Sequence, residues 1–422
     1  MSTRRVLFTT WEGGGHVGPA LTAARAVHNL GHEVLVVSDG ANAAATRALG
    51  LPFQPWRTAP NRPQAGDRAD AVRDWAAQTP IAVIDELAEA VLCGPAAHYA
   101  ADVRAVLREF PADLVVSNEM LFGAMLGAEA AGTPFAILVG NLWPFPTRPD
   151  LPPFGPGLAP AANDGEHARD DAIRAALLAV YETHLPALNA ARAAHGLAPL
   201  AHVFDQFAPA RRILLAVAEA FDFGVRPPPA PFAYVGPMIA DPAWVAQPAD
   251  PEQDPRPLIL ISSSTLYQAQ EDMLRRCMAA LAGEPVRAVL TLGPALDPAD
   301  FSDAPPNVTV LASASHDALA PRCAAVISHA GHGTIMRPLM LGKPLLNLPM
   351  GRDQRDNAAR VEARGAGLTL PQEAAPETIR AALRRLLAEP GYSESAKTLG
   401  AAIRTEADGG AKAARLIEEI CG

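Results

Sequence analysis

The stretch 325–357, AVISHAGHGTIMRPLMLGKPLLNLPMGRDQRDN, constrains the fold of this chain most tightly. Residues 325–328 end a short apolar run, the mark of a buried strand. His329, Gly331, Gly333 and Thr334 then make a turn that opens a helix. Such a turn aims backbone N–H groups and the positive end of a helix at one place, which suits a phosphate. The His329 imidazole and the Thr334 hydroxyl are candidates for two more donors. A second apolar run, 344–349, leads into Gly351-Arg352-Asp353-Gln354. A carboxylate beside a carboxamide at the carboxyl end of a strand suits vicinal hydroxyls. The stretch predicts a strand–turn–helix–strand unit of an α/β fold, with a diphosphate site followed by a sugar site.

The N-terminus repeats the pattern. Residues 6–10 read as a strand, and Trp11-Glu12-Gly13-Gly14-Gly15-His16-Val17-Gly18-Pro19 as a turn. Leu21, Ala24, Val27 and Leu30 then share a helix face, which Gly31 ends. Residues 33–38 form the next strand. Gly13, Gly15 and Gly18 spell G-x-G-x-x-G, and Asp39 lies 21 residues beyond Gly18. A dinucleotide-binding fold places its ribose-binding acid there, so an NAD-dependent oxidoreductase is one open reading. Two features oppose it: Trp11-Glu12 lengthens the turn, and such a fold has no use for His16.

Together, His329, the Gly331, Gly333 and Thr334 turn, and Asp353-Gln354 resemble the donor-binding signature of the inverting UDP-glycosyltransferase family. The bacterial members that decorate natural products are the most similar. That family also carries a Gly-His pair followed by Pro in its first loop, matched by Gly15-His16-Val17-Gly18-Pro19. The resemblance implies the GT-B fold, two Rossmann-like doubly wound domains facing across a cleft. Residues 1–236 would bind the acceptor and 237–400 the nucleotide sugar, with 401–422 ending in a helix that returns to the first domain. It implies that His16 is the catalytic base, a task imidazole suits at neutral pH. The alternative is a structural histidine capping a helix. The helix N-terminus is expected to disfavour the protonated ring. The family's aspartate partner falls at Asn118, with Glu119 beside it; whether either serves the histidine, or Asn118 only caps a helix, stays open.

The implied donor site comprises Gly15, Ser264, Thr265, Ala314, His316, His329, Gly331, Gly333, Thr334, Asp353 and Gln354. Ser264 and Thr265 have a simple helix cap as their alternative. Acceptor contacts are assigned to Trp11 and Glu12 beside His16, and to Trp143 and Phe145 in the Pro- and Gly-rich passage 141–160. A small loop core is the alternative for the last two. Two departures stand out. Arg337 occupies the place, eight residues after His329, where plant-type members hold ribose with glutamate. Members that use dTDP sugars often lack that glutamate. The family's base-stacking aromatic is also missing from Ser313-Ala314-Ser315-His316.

Further strands are expected at 113–117, 134–139, 212–217, 258–261, 286–291 and 308–311. Helices are expected at 69–78, 81–110 with a break near Gly94-Pro95, 166–195, 271–282 and from 376 onward. A polar linker at 241–257 separates the halves. With 35 Lys plus Arg against 45 Asp plus Glu, the net charge of −10 argues against nucleic acid and anionic membranes as partners. Four cysteines without a C-x-x-C argue against a disulfide framework or zinc site. No run approaches the roughly 18 apolar residues of a membrane span, and the N-terminus lacks a signal peptide, so a cytoplasmic protein is expected. No Asp-x-Asp motif occurs, and transfer without metal or resident cofactor is expected, with the nucleotide sugar as co-substrate. A homodimer stays open. Besides transfer and oxidoreduction, a catalytically silent helper and a sugar-nucleotide epimerase remain as readings.

Overall fold

The computed structural model describes residues 3–64, 72, 74–76, 79–239, 254–264 and 266–422. The expected 69–78 helix and most of the 241–257 linker lie largely outside the described residues, apart from a short turn at Asp74–Ala76.

Apolar runs bounded by turn residues become strands of two separate parallel sheets. The first sheet comprises β1 (Arg5–Thr9), β2 (Glu33–Ser38), β3 (Phe53–Pro55), β4 (Leu114–Asn118), β5 (Phe135–Val139), β6 (Ile213–Leu215) and β7 (Phe232–Tyr234). Its order is β3-β2-β1-β4-β5-β6-β7. The second comprises β8 (Leu258–Ser262), β9 (Arg287–Thr291), β10 (Val308–Leu311), β11 (Cys323–Ser328), β12 (Leu345–Asn347) and β13 (Gly367–Thr369), in the order β10-β9-β8-β11-β12-β13. In each sheet the chain reverses direction of travel beside its first strand. Ligands of such sheets bind at that switch point, beyond the carboxyl ends of the strands. Both switch points open onto the same interdomain cleft.

The strands are buried on both faces, as parallel strands covered by helices must be. Val6, Leu7 and Phe8 are at most 1% exposed. The helix Val17–Asn29 covers β1 with Ala20, Ala24 and Val27. The last helix, Gly409–Cys421, lies against it, and its Ala413, Ala414 and Ile417 enter the core of the first sheet. The expected break near Gly94-Pro95 is present: Pro80–Leu87 runs into a widened turn, and a new helix, Ala96–Glu109, starts after Pro95. Among the described residues no helix is long and apolar enough to cross a membrane.

The domains are fastened by buried polar contacts. Arg360 Nε and Nη2 donate to Asp222 Oδ1 at 2.9 and 2.7 Å. Arg364 donates to the carbonyls of Ala220 and Asp222. The Glu406 carboxylate accepts the backbone N–H groups of Glu219 and Ala220.

Candidate active site

The first loop leaves β1 at its carboxyl end and enters the helix Val17–Asn29 with His16 at the N-cap position. No side-chain cap bond forms there, so the imidazole is not a helix cap. Gly13 passes between two rings: a Cβ there would come within 2.5 Å of Trp11 and 2.8 Å of His16. Only glycine fits, and the Trp11 and His16 rings stand 5.7 Å apart around it.

His16 Nδ1 lies 3.0 Å from Glu119 Oε1, whose side chain is wholly buried. Asn118 Nδ2 donates to the other Glu119 oxygen at 2.6 Å, and Asn118 Oδ1 accepts from Met120 N. Asn118 Nδ2 is also 3.2 Å from His16 Nδ1. An Nδ1–H facing Glu119 cannot accept from an amide, so Asn118 acts on the carboxylate rather than on the ring. The choice between the two residues thus becomes a relay, with Glu119 against the ring and Asn118 behind it. Burial opposes a proton on His16, but the Glu119 charge and hydrogen bond, helped by Asp353, outweigh it and hold the ring above its ordinary value. The helix-terminus argument gave the opposite sign; a carboxylate in contact beats a partial charge.

The dinucleotide reading loses its supports. Asp39 Oδ2 accepts Glu12 N at 2.8 Å and Oδ1 accepts Arg62 N at 2.6 Å, so the carboxylate staples two loops together. Gly18 has nothing within 4 Å of where a Cβ would stand, so no close helix–strand packing demands glycine there. Burial raises both Asp39 and Glu12 above the usual carboxylate range.

Across the cleft, β11 delivers His329. It is 5% exposed, its Nδ1 faces Ser262 O at 3.4 Å, and burial pushes the ring down to about 4. Ala330 adopts φ +68°, a left-handed conformation that costs a non-glycine residue energy and often marks a functional turn. Gly331 caps the helix His332–Met340 without a side-chain bond. Thr334, expected to face an anion, donates instead to Gly331 O at 2.7 Å, with Ser328 Oγ 3.0 Å from its hydroxyl.

Arg352, also left-handed at φ +56°, turns the chain into Asp353 at the start of the helix Gln354–Ala363. Asp353 Oδ2 accepts from Asn357 Nδ2 at 2.7 Å and, across the cleft, from Asn141 Nδ2 at 3.1 Å. Gln354 is 2% exposed, and its amide is committed inward: Oε1 accepts Met350 N and Gly351 N, while Nε2 donates to Gln268. It shapes the loop rather than offering its amide to the cleft.

The remaining expected residues are spread along this wall. Ser264 Oγ accepts Leu266 N at 3.3 Å, and Thr265 lies outside the described residues. His316 Nε2 is 3.0 Å from Thr291 Oγ1 at the end of β9, with Ala314 buried just before it. Arg337 Nε meets Asp317 Oδ1 at 2.6 Å. Trp143 and Phe145 are each 3% exposed, in an aromatic core with Phe204 and Phe207. So buried, they have almost no surface to offer an acceptor. Trp11 Nε1 is a buried donor with no hydrogen-bond partner among the described residues.

Residues 276–418 match the model of the erythromycin biosynthesis protein CIII-like C-terminal domain. Over 406 residues the chain is 28% identical to 4'-demethylrebeccamycin synthase of Lentzea aerocolonigenes, covering 94% of each chain. It is 27% identical over 435 residues to aklavinone 7-beta-L-rhodosaminyltransferase of Streptomyces galilaeus, covering 95% of this chain and 92% of that one. Among solved structures, the kitacinnamycin glycosyltransferase superposes with a TM-score of 0.77 at 21% identity, over 99% of both chains. The glycosyltransferase VinC in complex with dTDP superposes at 0.69 and 22%, over 99% of this chain and 98% of that one. The chain has the GT-B fold of these glycosyltransferases.

The site also contains residues that sequence reasoning did not assign. Asn141 follows β5 directly, a carboxyl-end position that could have signalled it. His332, between the two turn glycines, sits edge-on to Phe221 of the other domain at 6.4 Å, and burial lowers its ring below the ordinary value. Asn357, one turn beyond Asp353, ties that carboxylate to Ala330 O.

Proposed function

We propose that this protein moves a sugar from a dTDP- or UDP-sugar to a hydroxyl of a small, hydrophobic natural-product acceptor, with inversion at the anomeric carbon. The observation that carries this reading is the His16–Glu119 contact facing Asp353 across the cleft. With Nδ1 committed to Glu119, Nε2 is the nitrogen left to take the acceptor's proton. The oxygen attacks the anomeric carbon as the nucleoside diphosphate leaves from the opposite face, and positioning by two domains supplies much of the rate. Charge growing on the leaving diphosphate is met by the N-terminus of the helix His332–Met340. Asp353 takes sugar hydroxyls. Asp317, held by Arg337, supplies a carboxylate for the ribose in place of the family's glutamate.

A silent helper rested on Asn118 lacking a charge; Glu119 provides that charge at His16, so turnover is the better reading. The acceptor class follows the relatives, one of them named for aklavinone, and dTDP follows the VinC complex.

Calorimetric titration with dTDP, UDP and NADH tests the donor. dTDP or UDP binding that His329→Ala weakens, with no NADH binding, is expected. NADH binding without pyrimidine nucleotide binding would overturn the reading. Transfer is then assayed with dTDP-glucose and UDP-glucose on aklavinone and other hydroxylated polycyclic aromatics. Activity is expected to be unchanged by excess EDTA, because the helix terminus takes the role a metal would play; loss restored by a divalent ion would refute metal independence.

A further inference from the structure

Asp356 has no part in the site described so far. It lies in the first turn of the helix Gln354–Ala363, in the nucleotide-binding half, and is 2% exposed. Its Oδ2 accepts Gly155 N at 2.8 Å and its Oδ1 accepts Gly157 N at 3.3 Å. Both glycines belong to the first domain's passage 141–160. The start of that passage is tied to the same helix, because Asn141 donates to Asp353. It also runs past the base: a Cβ at Gly140 would come within 3.4 Å of His16. Gly157 has φ +74°, and a Cβ there would press to 2.7 Å on Arg355 O, so the passage lies directly on the helix. One helix therefore holds both ends of a segment that borders the acceptor side of the cleft.

We propose that Asp356 is a positioning residue for the acceptor: by clasping Gly155 and Gly157 it fixes the acceptor-side passage onto the sugar-binding helix, so that the acceptor site is complete only when the two domains are closed. This rests on the transferase reading above. A carboxylate accepting backbone N–H groups away from water forms charge-assisted bonds, stronger than neutral ones. The groups facing it are Arg360 on its own helix, committed to Asp222, the neighbouring Asp353, and the two glycine amides. Burial pushes the Asp356 carboxyl up to about 7 against the pull of Arg360 and the amides. An opened, hydrated aspartate titrates near about 3.9. The closed form therefore binds the proton better, and closure becomes less favourable as pH rises from about 3.9 to about 7, above which it no longer changes.

Asp356→Ala and Asp356→Asn are compared with wild type, using the acceptor that wild type glycosylates best in the screen above. Loss of both bonds to the glycine amides in Asp356→Ala is expected to raise the acceptor KM by about tenfold or more. The dTDP affinity is expected to stay within about twofold, since Asp356 faces the passage rather than the nucleotide. Hydrogen exchange at Gly155 and Gly157 should speed up. In wild type the acceptor KM should rise as pH climbs towards about 7 and level off above it; Asp356→Asn, which cannot ionise, should abolish that rise while still folding. Faster exchange with an unchanged acceptor KM would overturn the positioning role, and so would an equal loss of dTDP affinity. Absence of any transfer by wild type that still binds dTDP would overturn the transferase reading itself, and this proposal with it.

Discussion

His16→Ala is expected to lower kcat by about 10²–10⁴-fold, the range a positioned general base contributes. Nucleotide affinity should hold, because the ring stands on the acceptor side and touches the phosphate turn through no bond. The argument rests on a tautomer. Glu119 Oε1 at 3.0 Å selects Nδ1–H and leaves Nε2 basic. It also raises the ring above its ordinary value, so the rate should climb with pH through that raised value as the imidazole loses its proton. Glu119→Gln removes the charge that holds the proton. The rising limb should then move to lower pH while the plateau falls, because a less basic nitrogen is a weaker proton acceptor. Steady-state kcat across pH 5–9 for the three proteins decides it. A His16→Ala enzyme with near-wild-type kcat would remove the histidine from the chemistry, and an unmoved limb in Glu119→Gln would detach the carboxylate from it.

The interior of both sheets was legible because each inner strand is a continuous apolar run between turn residues, as a strand buried on both faces must be. β3, β7 and β13 were not read as strands. Each has three residues and lies at a sheet edge, too short for a periodic signal, and β3 ends in Pro55, which an edge tolerates. His16, His329 and Asp353 were legible because they adjoin turns at strand ends, where parallel sheets bind ligands. Trp143 and Phe145 misled because composition does not say which side of a loop faces inward. Gln354 likewise looked like a ligand-binding amide until its inward partners were seen. Asp222 and Arg360 lie 138 positions apart, and Asp356 and Gly155 201 apart, so no local pattern could pair them.

Asp222→Ala is expected to destabilise the protein by about 3–5 kcal/mol, the cost of stranding a buried charge. Asp222 is 2% exposed and Arg360 4%. Arg360 gives two hydrogen bonds to Oδ1, which also accepts Phe223 N at 2.7 Å, while Tyr234 Oη donates to Oδ2 at 2.9 Å. Burial works against the ionised carboxyl, but Arg360 and these donors prevail and hold it below the usual carboxylate range. A depressed value in the folded state gives stability that is present above the unfolded value of about 3.9 and is lost as pH falls through the folded one. The pair should therefore protect the interdomain contact at neutral pH and fail in acid. In Asp222→Ala, Arg360 keeps its place over the Phe223 ring at 4.5 Å and its bond to Asp356 O, but loses the carboxylate it is hydrogen-bonded to. Replacing both members by apolar residues, as in Asp222→Leu with Arg360→Met, should recover much of the loss, since ion and counter-ion are then removed together. Urea unfolding followed by circular dichroism reads both variants. The pair also bridges the two sheets, so the single variant should let the halves unfold in separate steps. A loss below about 1 kcal/mol, the range of exposed ion pairs, would mean that water reaches this contact and that the domains are held together elsewhere.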